Sequence, residues 1–233
     1  MSDGARERWR ELVRGSVSHF ERPADERYWC PELETASRDR LRDIQGVRLA
    51  AAYRYLWDCS PFYHRKFETA GLGPDSVRGL EDLGRIPVTH REEWLRDQEE
   101  HPPWGSFSPL RHEDWLERGW MLFTTSGTTA ARPRVFRHTS FDRDMWAWLG
   151  ARALHSMGVR RGDVAINCFG YGTSVAFWGL HYALNHMGIH PETQKMITWQ
   201  FYEAGHMMYI DKTSHGKLKR DITEFIQGAI PKS

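Results

Sequence analysis

Between residues 1 and 188 the chain holds 25 arginines and one lysine, Lys66, whereas residues 189–233 hold five lysines and one arginine, Arg220. Isoleucine turns at the same point: Ile44, Ile86 and Ile166 precede it, and six follow, from Ile189 to Ile230. Both basic side chains cover solvated faces in the same way, so folding alone demands no such exchange. Two coding backgrounds joined near Gly188 account for both biases and divide the chain into a 1–188 region and a 189–233 tail. Most of any core must come from the first region, which also carries ten of the eleven tryptophans.

Charge then narrows the partner. Over 233 residues, 32 Lys+Arg against 31 Asp+Glu leave a net of +1. That balance argues against nucleic acid or a membrane surface as partner and favours a small molecule. With 40% apolar residues the chain has the material for a sizeable core. No apolar run approaches the ~18 residues of a membrane span, and the opening MSDGARERWRELVRG is charged where a signal peptide is apolar. A cytoplasmic location is expected. Cys30, Cys59 and Cys168 are too widely spaced for a CxxC site and odd in number, so they read as reduced, buried thiols. The twelve histidines show no HExxH, HxH or Cys/His pairing, and His181 and His186, five apart, do not share a helix face. No metal site is expected.

Leu41, Ile44, Val47, Ala51 and Tyr55 recur at steps of three and four, predicting a helix to about residue 58, before Pro61. A shorter helix over 62–70 should end at Gly71, and a helix THREEWLRDQ should be capped by Thr89. Residues 101–114 read as a loop. Strands are expected at 120–123 and 134–137, a helix from Phe141 to Met157 closed by Gly158, a buried strand DVAINC, and a helix over 175–186. This β-α-β-α rhythm predicts an α/β fold with a helical N-terminal cap. In the tail, 197–202 reads as a strand and Ser214 as the cap of a helix whose apolar face is Leu218, Ile222, Phe225 and Ile226.

The stretch TTSGTTAARPR, residues 124–134, concentrates hydroxyls, one glycine and two guanidinium groups between two strand candidates. A polyphosphate needs close backbone N–H groups, hydroxyls and a cation. Thr125, Ser126, Gly127, Thr128 and Thr129 suit the first two needs, and Arg132 or Arg134 the third. The Walker A spacing is absent. Taken alone, the stretch also reads as an ordinary hydroxyl-rich hairpin loop.

The loop and its neighbours resemble the N-terminal part of the phenylacetate-CoA ligase group of AMP-forming, adenylate-forming enzymes. The resemblance covers about 38–188 and rests on SPFYHRKFETAGLGPDSVRGLEDLGRIPVTHREEW, TTSGTT with RPRVFRHT, and GVRRGDVAINCFGYG, in that order. It implies an incomplete portion of the ligase large domain. Thr125, Ser126, Gly127, Thr128, Thr129 and Arg132 would then wrap the phosphates of ATP, with Mg²⁺ assisting, while a carboxylic acid is activated and passed to coenzyme A. Phe169, Tyr171 and Gly172 would lie beside the aryl-acid pocket. The chain departs from the family at Ala130-Ala131, where a glycine usually stands; losing a positive φ there would strain the loop. The family's aromatic-Gly-x-Thr-Glu motif, its ribose-binding acid and its catalytic lysine find no match, so a truncated ligase, inactive alone, is expected.

Residues 190–230 resemble the extreme C-terminus of serine carboxypeptidase-like α/β-hydrolases, where the histidine of Gly-His-Met is the general base. Here that is His206, between Gly205 and Met207. The chain contains no G-x-S-x-G elbow, so the peptidase reading has a base without its nucleophile. A third reading is a non-catalytic interaction module that self-associates through exposed aromatic surface.

Overall fold

The computed structural model describes residues 3–17, 27–118, 120–125, 134–161, 163, 165, 172–173, 175–188 and 211–229. The chain divides into two compact units, Met1–Phe141 and Asp142–Ser233. It is helix-rich with a small sheet, and the residue-188 composition break falls inside the second unit.

In the first unit, α1 (Asp3–Val17) is fastened from both its aromatic and its charged side. Trp9 stacks on Tyr55 with centroids 6.0 Å apart, and Arg6 reaches the Asp114 carboxylate at 3.2 Å and the Pro109 carbonyl at 3.3 Å. A four-residue helix, α2 (Pro31–Glu34), precedes α3 (Arg38–Cys59), whose Ser37 hydroxyl accepts the Arg40 N–H at 3.2 Å. The periodicity of 41–58 is the periodicity of α3. Tyr53 on that helix joins Phe67, Leu72 and Val77 in the core, with Leu49, Leu56, Trp57, Tyr63 and Ile86 packed around them. Its ring lies 4.7 Å from that of Phe67, and its hydroxyl donates to the Gly73 carbonyl at 2.7 Å, so the one polar atom is satisfied.

Helix α4 (Pro61–Thr69) begins at Ser60, which is 1% exposed. The Ser60 hydroxyl accepts from the Tyr63 N–H at 3.3 Å and donates to the Phe107 carbonyl at 2.8 Å, so a helix cap doubles as a long-range tie. Gly71 ends the helix at φ +71°, as expected from its position. A 3₁₀ turn (Leu80–Arg85) leads to α5 (Arg91–Glu100). The cap of α5 corrects the expectation of Thr89: the residue before the helix is His90, and the Glu93 carboxylate accepts its N–H at 2.6 Å while also pairing with Lys66. A glutamate three residues on reaches back to the N–H of the capping residue. Those bonds, from Lys66 first and then the His90 N–H, hold the Glu93 carboxyl below its ordinary range.

The expected loop 101–114 is shorter than predicted, because α6 (His112–Arg118) starts within it. Asp114 accepts the Arg111 N–H at 3.0 Å, turning a polar stretch into a helix start. Strands β1 (Trp120–Thr125) and β2 (Arg134–Thr139) pair antiparallel from Trp120 opposite Thr139 to Thr125 opposite Arg134, each slightly longer than expected.

In the second unit, α7 (Ser140–Ser156) ends at Gly158, φ +95°, and α8 (Val175–His186) ends at Gly188, φ +77°. The two helices approach through small residues. A Cβ on Gly150 would lie 2.7 Å from the Ala183 Cβ, and one on Gly179 would lie 2.7 Å from the Trp146 ring. Helix α9 (Lys212–Ala229) starts two residues before the expected cap: Asp211 accepts the Ser214 N–H at 2.8 Å, and Ser214 is buried in the first turn. Leu218, Ile222 and Phe225 of its apolar face are half-buried, and Ile226 is exposed. The expected strand 197–202 lies outside the described residues, as does most of DVAINC. Among the described residues the α/β expectation is met by helices and one two-stranded sheet. Cys30 is buried as expected, whereas Cys59 is only half-buried. No described helix is long and apolar enough to cross a membrane.

Candidate functional site

The phosphate-loop candidate hangs on the β1–β2 hairpin. Strand alternation puts Phe123 and Phe136 on one face, their rings 5.9 Å apart and Phe123 only 1% exposed, which anchors the hairpin in the first unit. On the opposite face lie Trp120, Leu122 and Arg137. Thr125 ends β1 opposite Arg134 and marks the base from which the loop departs. Ser126, Gly127, Thr128, Thr129 and Arg132 lie outside the described residues.

A buried charge network in the scaffold sets where that base sits. Asp97 on α5 is 3% exposed. Its carboxylate accepts the Ser106 N–H at 2.5 Å, the Ser106 hydroxyl at 2.6 Å and the Arg65 guanidinium at 3.2 Å, with the His101 ring 3.2 Å away. A carboxylate so saturated holds α4, α5 and the 101–106 turn in one arrangement. Gly105 is required in that turn: it adopts φ +77°, and a Cβ there would meet Asp97 Oδ2 at 2.8 Å. The next residue, Gln98, donates its side-chain N–H to the Val135 carbonyl at 2.6 Å. Val135 lies beside Arg134, so one amide ties the scaffold to the root of the loop. Sequence reasoning missed Gln98, because a polar residue on an amphipathic helix carries no signal of a long-range acceptor.

Of the aryl-pocket residues, Phe169 and Tyr171 lie outside the described residues. The Gly172 carbonyl accepts the Trp178 indole N–H at 2.9 Å, which ties that glycine to α8. Further along α8, Trp178 stacks on Tyr182 at 5.7 Å, and burial pushes the His181 imidazole down and the Tyr182 phenol up from their ordinary values. His206 lies outside the described residues.

No family model matches the chain. Over 159 residues, 68% of the chain, it is 39% identical to a phenylacetate-coenzyme A ligase of Thermus thermophilus; over 156 residues it is 34% identical to one of Aromatoleum evansii and 35% to one of Pseudomonas putida. Over this stretch the chain is similar to phenylacetate-CoA ligases. It spans about a third of the length of these relatives, 34% of the first and 33% of the others. Solved structures agree. A 2-hydroxyisobutyryl-CoA ligase in the postadenylation state with 2-HIB-AMP superposes on 72% of the chain with TM-score 0.65 and 30% identity, covering 34% of that protein. An open conformation of the same ligase with 2-HIB-AMP and CoA gives 0.65 and 28%, covering 72% of the chain and 37% of that protein. The homologues and structural neighbours together support an adenylate-forming ligase N-terminal region in this chain.

Proposed function

We propose that this chain carries the phosphate-binding part of an AMP-forming carboxylate-CoA ligase, with Thr125, Ser126, Gly127, Thr128, Thr129 and Arg132 receiving the β- and γ-phosphates of ATP. The observation that carries the reading is the hairpin: two paired strands, tied by Gln98 to a saturated charge network, present the hydroxyl-rich loop inside the region homologous to phenylacetate-CoA ligases. Backbone N–H groups and hydroxyls at this point of the sequence would stabilise the charge that builds on transferring phosphates.

In the complete reaction a carboxylate oxygen attacks the α-phosphorus of ATP, the bond to the β-phosphate oxygen breaks, and pyrophosphate leaves. The thiol of coenzyme A then adds to the acyl carbon of the mixed anhydride, giving a thioester and releasing AMP. The loop's part is to hold pyrophosphate as charge moves onto it. Phe169, Tyr171 and Gly172 are proposed to border the acid. Mg²⁺ enters this reading as the counterion of ATP.

The isolated chain is proposed to bind nucleotide weakly and to complete no turnover, since most transition-state contacts of such ligases find no match here. The tail 190–230 is proposed as a hydrolase-derived segment that takes no part, His206 having no elbow serine in this sequence. Thermal unfolding with and without millimolar Mg-ATP tests the loop: a native-state ligand raises the midpoint by mass action. A rise that vanishes in the Ser126→Ala/Thr128→Ala double variant supports the proposal; a midpoint indifferent to ATP refutes it. Carboxylate-dependent ATP-pyrophosphate exchange above that double variant would overturn the inactivity.

A further inference from the structure

Arg137 bears a charge that no carboxylate among the described residues neutralises. Its Cζ lies over the rings of Trp104 and Trp115, 4.3 Å from each centroid, and 5.4 Å from the centroid of Trp120. Trp104 and Trp120 meet edge to face with centroids 5.3 Å apart. Three indoles, from the 101–111 loop, α6 and β1, therefore wall one guanidinium. Burial alone moves this group from its ordinary value, downward, with no acidic neighbour acting on it.

Cation–π attraction engages the faces of a guanidinium and leaves its edge untouched: the five N–H donors lie in the plane and radiate outward. No acceptor among the described residues takes a hydrogen bond from them. A second donor beside them is also unspent. Trp115 is 5% exposed, and its indole Nε1–H is buried without an acceptor among the described residues. Buried donors normally find partners, so two donors unmatched among the described residues in one aromatic box mark a place where a ligand's acceptor can be received.

We propose that Arg137, Trp104, Trp115 and Trp120 form a receptor for a planar carboxylate, preferentially that of an aromatic acid. The in-plane fork of Arg137 matches two carboxylate oxygens, and the Trp115 N–H is a further donor. One guanidinium without a second cation balances a monoanion, whereas a phosphate dianion would remain half-neutralised. Trp120 at 38% and Leu122 at 39% exposure leave apolar surface on the same sheet face against which an aryl ring can lie. This receptor uses none of the residues assigned to the phosphate loop or to the acid pocket, and it does not rest on the ligase reading.

The test uses the whole chain at neutral pH and constant ionic strength, titrated with sodium benzoate, sodium acetate or sodium chloride while tryptophan emission and the unfolding midpoint are followed. Benzoate should give a saturable response, acetate one about tenfold weaker, and chloride none. Arg137→Met, which keeps an unbranched apolar stem over the rings, should abolish saturation while the circular dichroism stays native. Arg137→Lys should weaken it, and Trp115→Phe, which removes only the N–H donor and part of the ring, should weaken it several-fold. The Ser126→Ala/Thr128→Ala variant should bind benzoate as the parent does, so failure of ATP binding and failure of this receptor are separate results. A response linear in benzoate, or equal for chloride, overturns the proposal. So does full affinity in a folded Arg137→Met chain or, should that variant not fold, in both Arg137→Lys and Trp115→Phe.

Discussion

Asp97 and Arg137 are both charged side chains drawn out of water within the first unit, and they are treated in opposite ways. Asp97 accepts from a backbone N–H, a hydroxyl and a guanidinium, which leaves it no spare capacity. Arg137 is held over aromatic faces, and no acceptor among the described residues takes its directional donors. The difference separates a charge that fixes structure from one that can receive a ligand. A network gathered on one buried carboxylate loses a great deal when that carboxylate goes, because its donors lose their shared acceptor at once. A stacked cation loses dispersion and face attraction only, and a hydrophobic replacement recovers part of that.

Replacing Asp97 with Ala puts the comparison under its heaviest load. It should cost about 3 kcal/mol, since it removes the buried acceptor shared by the Ser106 N–H, the Ser106 hydroxyl and Arg65 and frees the 101–106 turn, and urea denaturation would show it as a lowered midpoint. Gly105→Ala attacks the same hub from the backbone. With φ +77° and a Cβ that would sit 2.7 Å from the Phe107 ring and 2.8 Å from Asp97 Oδ2, it should lose about 2 kcal/mol, and pairing it with Asp97→Ala should give less than the sum.

Asp114 offers a pH-resolved version of the same contrast. Burial pushes its carboxyl up, but hydrogen bonds from the Arg111 side chain and backbone, with the charges of Arg6 and Arg111, outweigh burial and bring it below its ordinary range. A folded-state value below the unfolded one means stability that is complete above the unfolded carboxylate range, about pH 4, and is lost as pH falls through the folded value. Asp114→Asn should therefore cost about 1–2 kcal/mol at neutral pH, and the gap from the parent should close in acid, as read from denaturation midpoints across the acid range. Arg137→Met should be the mildest, within about 1 kcal/mol of the parent. A loss as large as that of Asp97→Ala would erase the distinction between the two charges.

Local pattern reached the elements better than it reached their ties. The step of three and four through Leu41, Ile44, Val47, Ala51 and Tyr55 runs along a 22-residue helix, of which Ala51, Tyr53 and Tyr55 are buried and Val47 is exposed, and Gly71 and Gly158 stand where helices must stop. Short-range chemistry was misjudged where two acceptors competed. The cap moved one residue on, to His90, whose N–H the Glu93 carboxylate accepts, and Asp114 drew 112–118 into a helix. The Asp97 network was not legible, because Arg65 and Ser106 reach it only through tertiary structure and a charged helix residue ordinarily faces water. The hairpin beneath the hydroxyl-rich loop could be read from its strand propensities, whereas Gln98 and the tryptophan box could not. Both depend on residues more than fifteen positions apart meeting across elements.

The Gln98 amide gives the hairpin the mechanics of a cantilever. Its root is clamped one residue from where the loop departs, so a pull on the loop is carried along β2 to α5 and on through the Glu93–Lys66 pair to α4, rather than being absorbed by bending of the strands. Stiffness at the loop's root is then set by a single side-chain amide: shortening Gln98 would leave every loop residue in place chemically while letting the base from which they project swing.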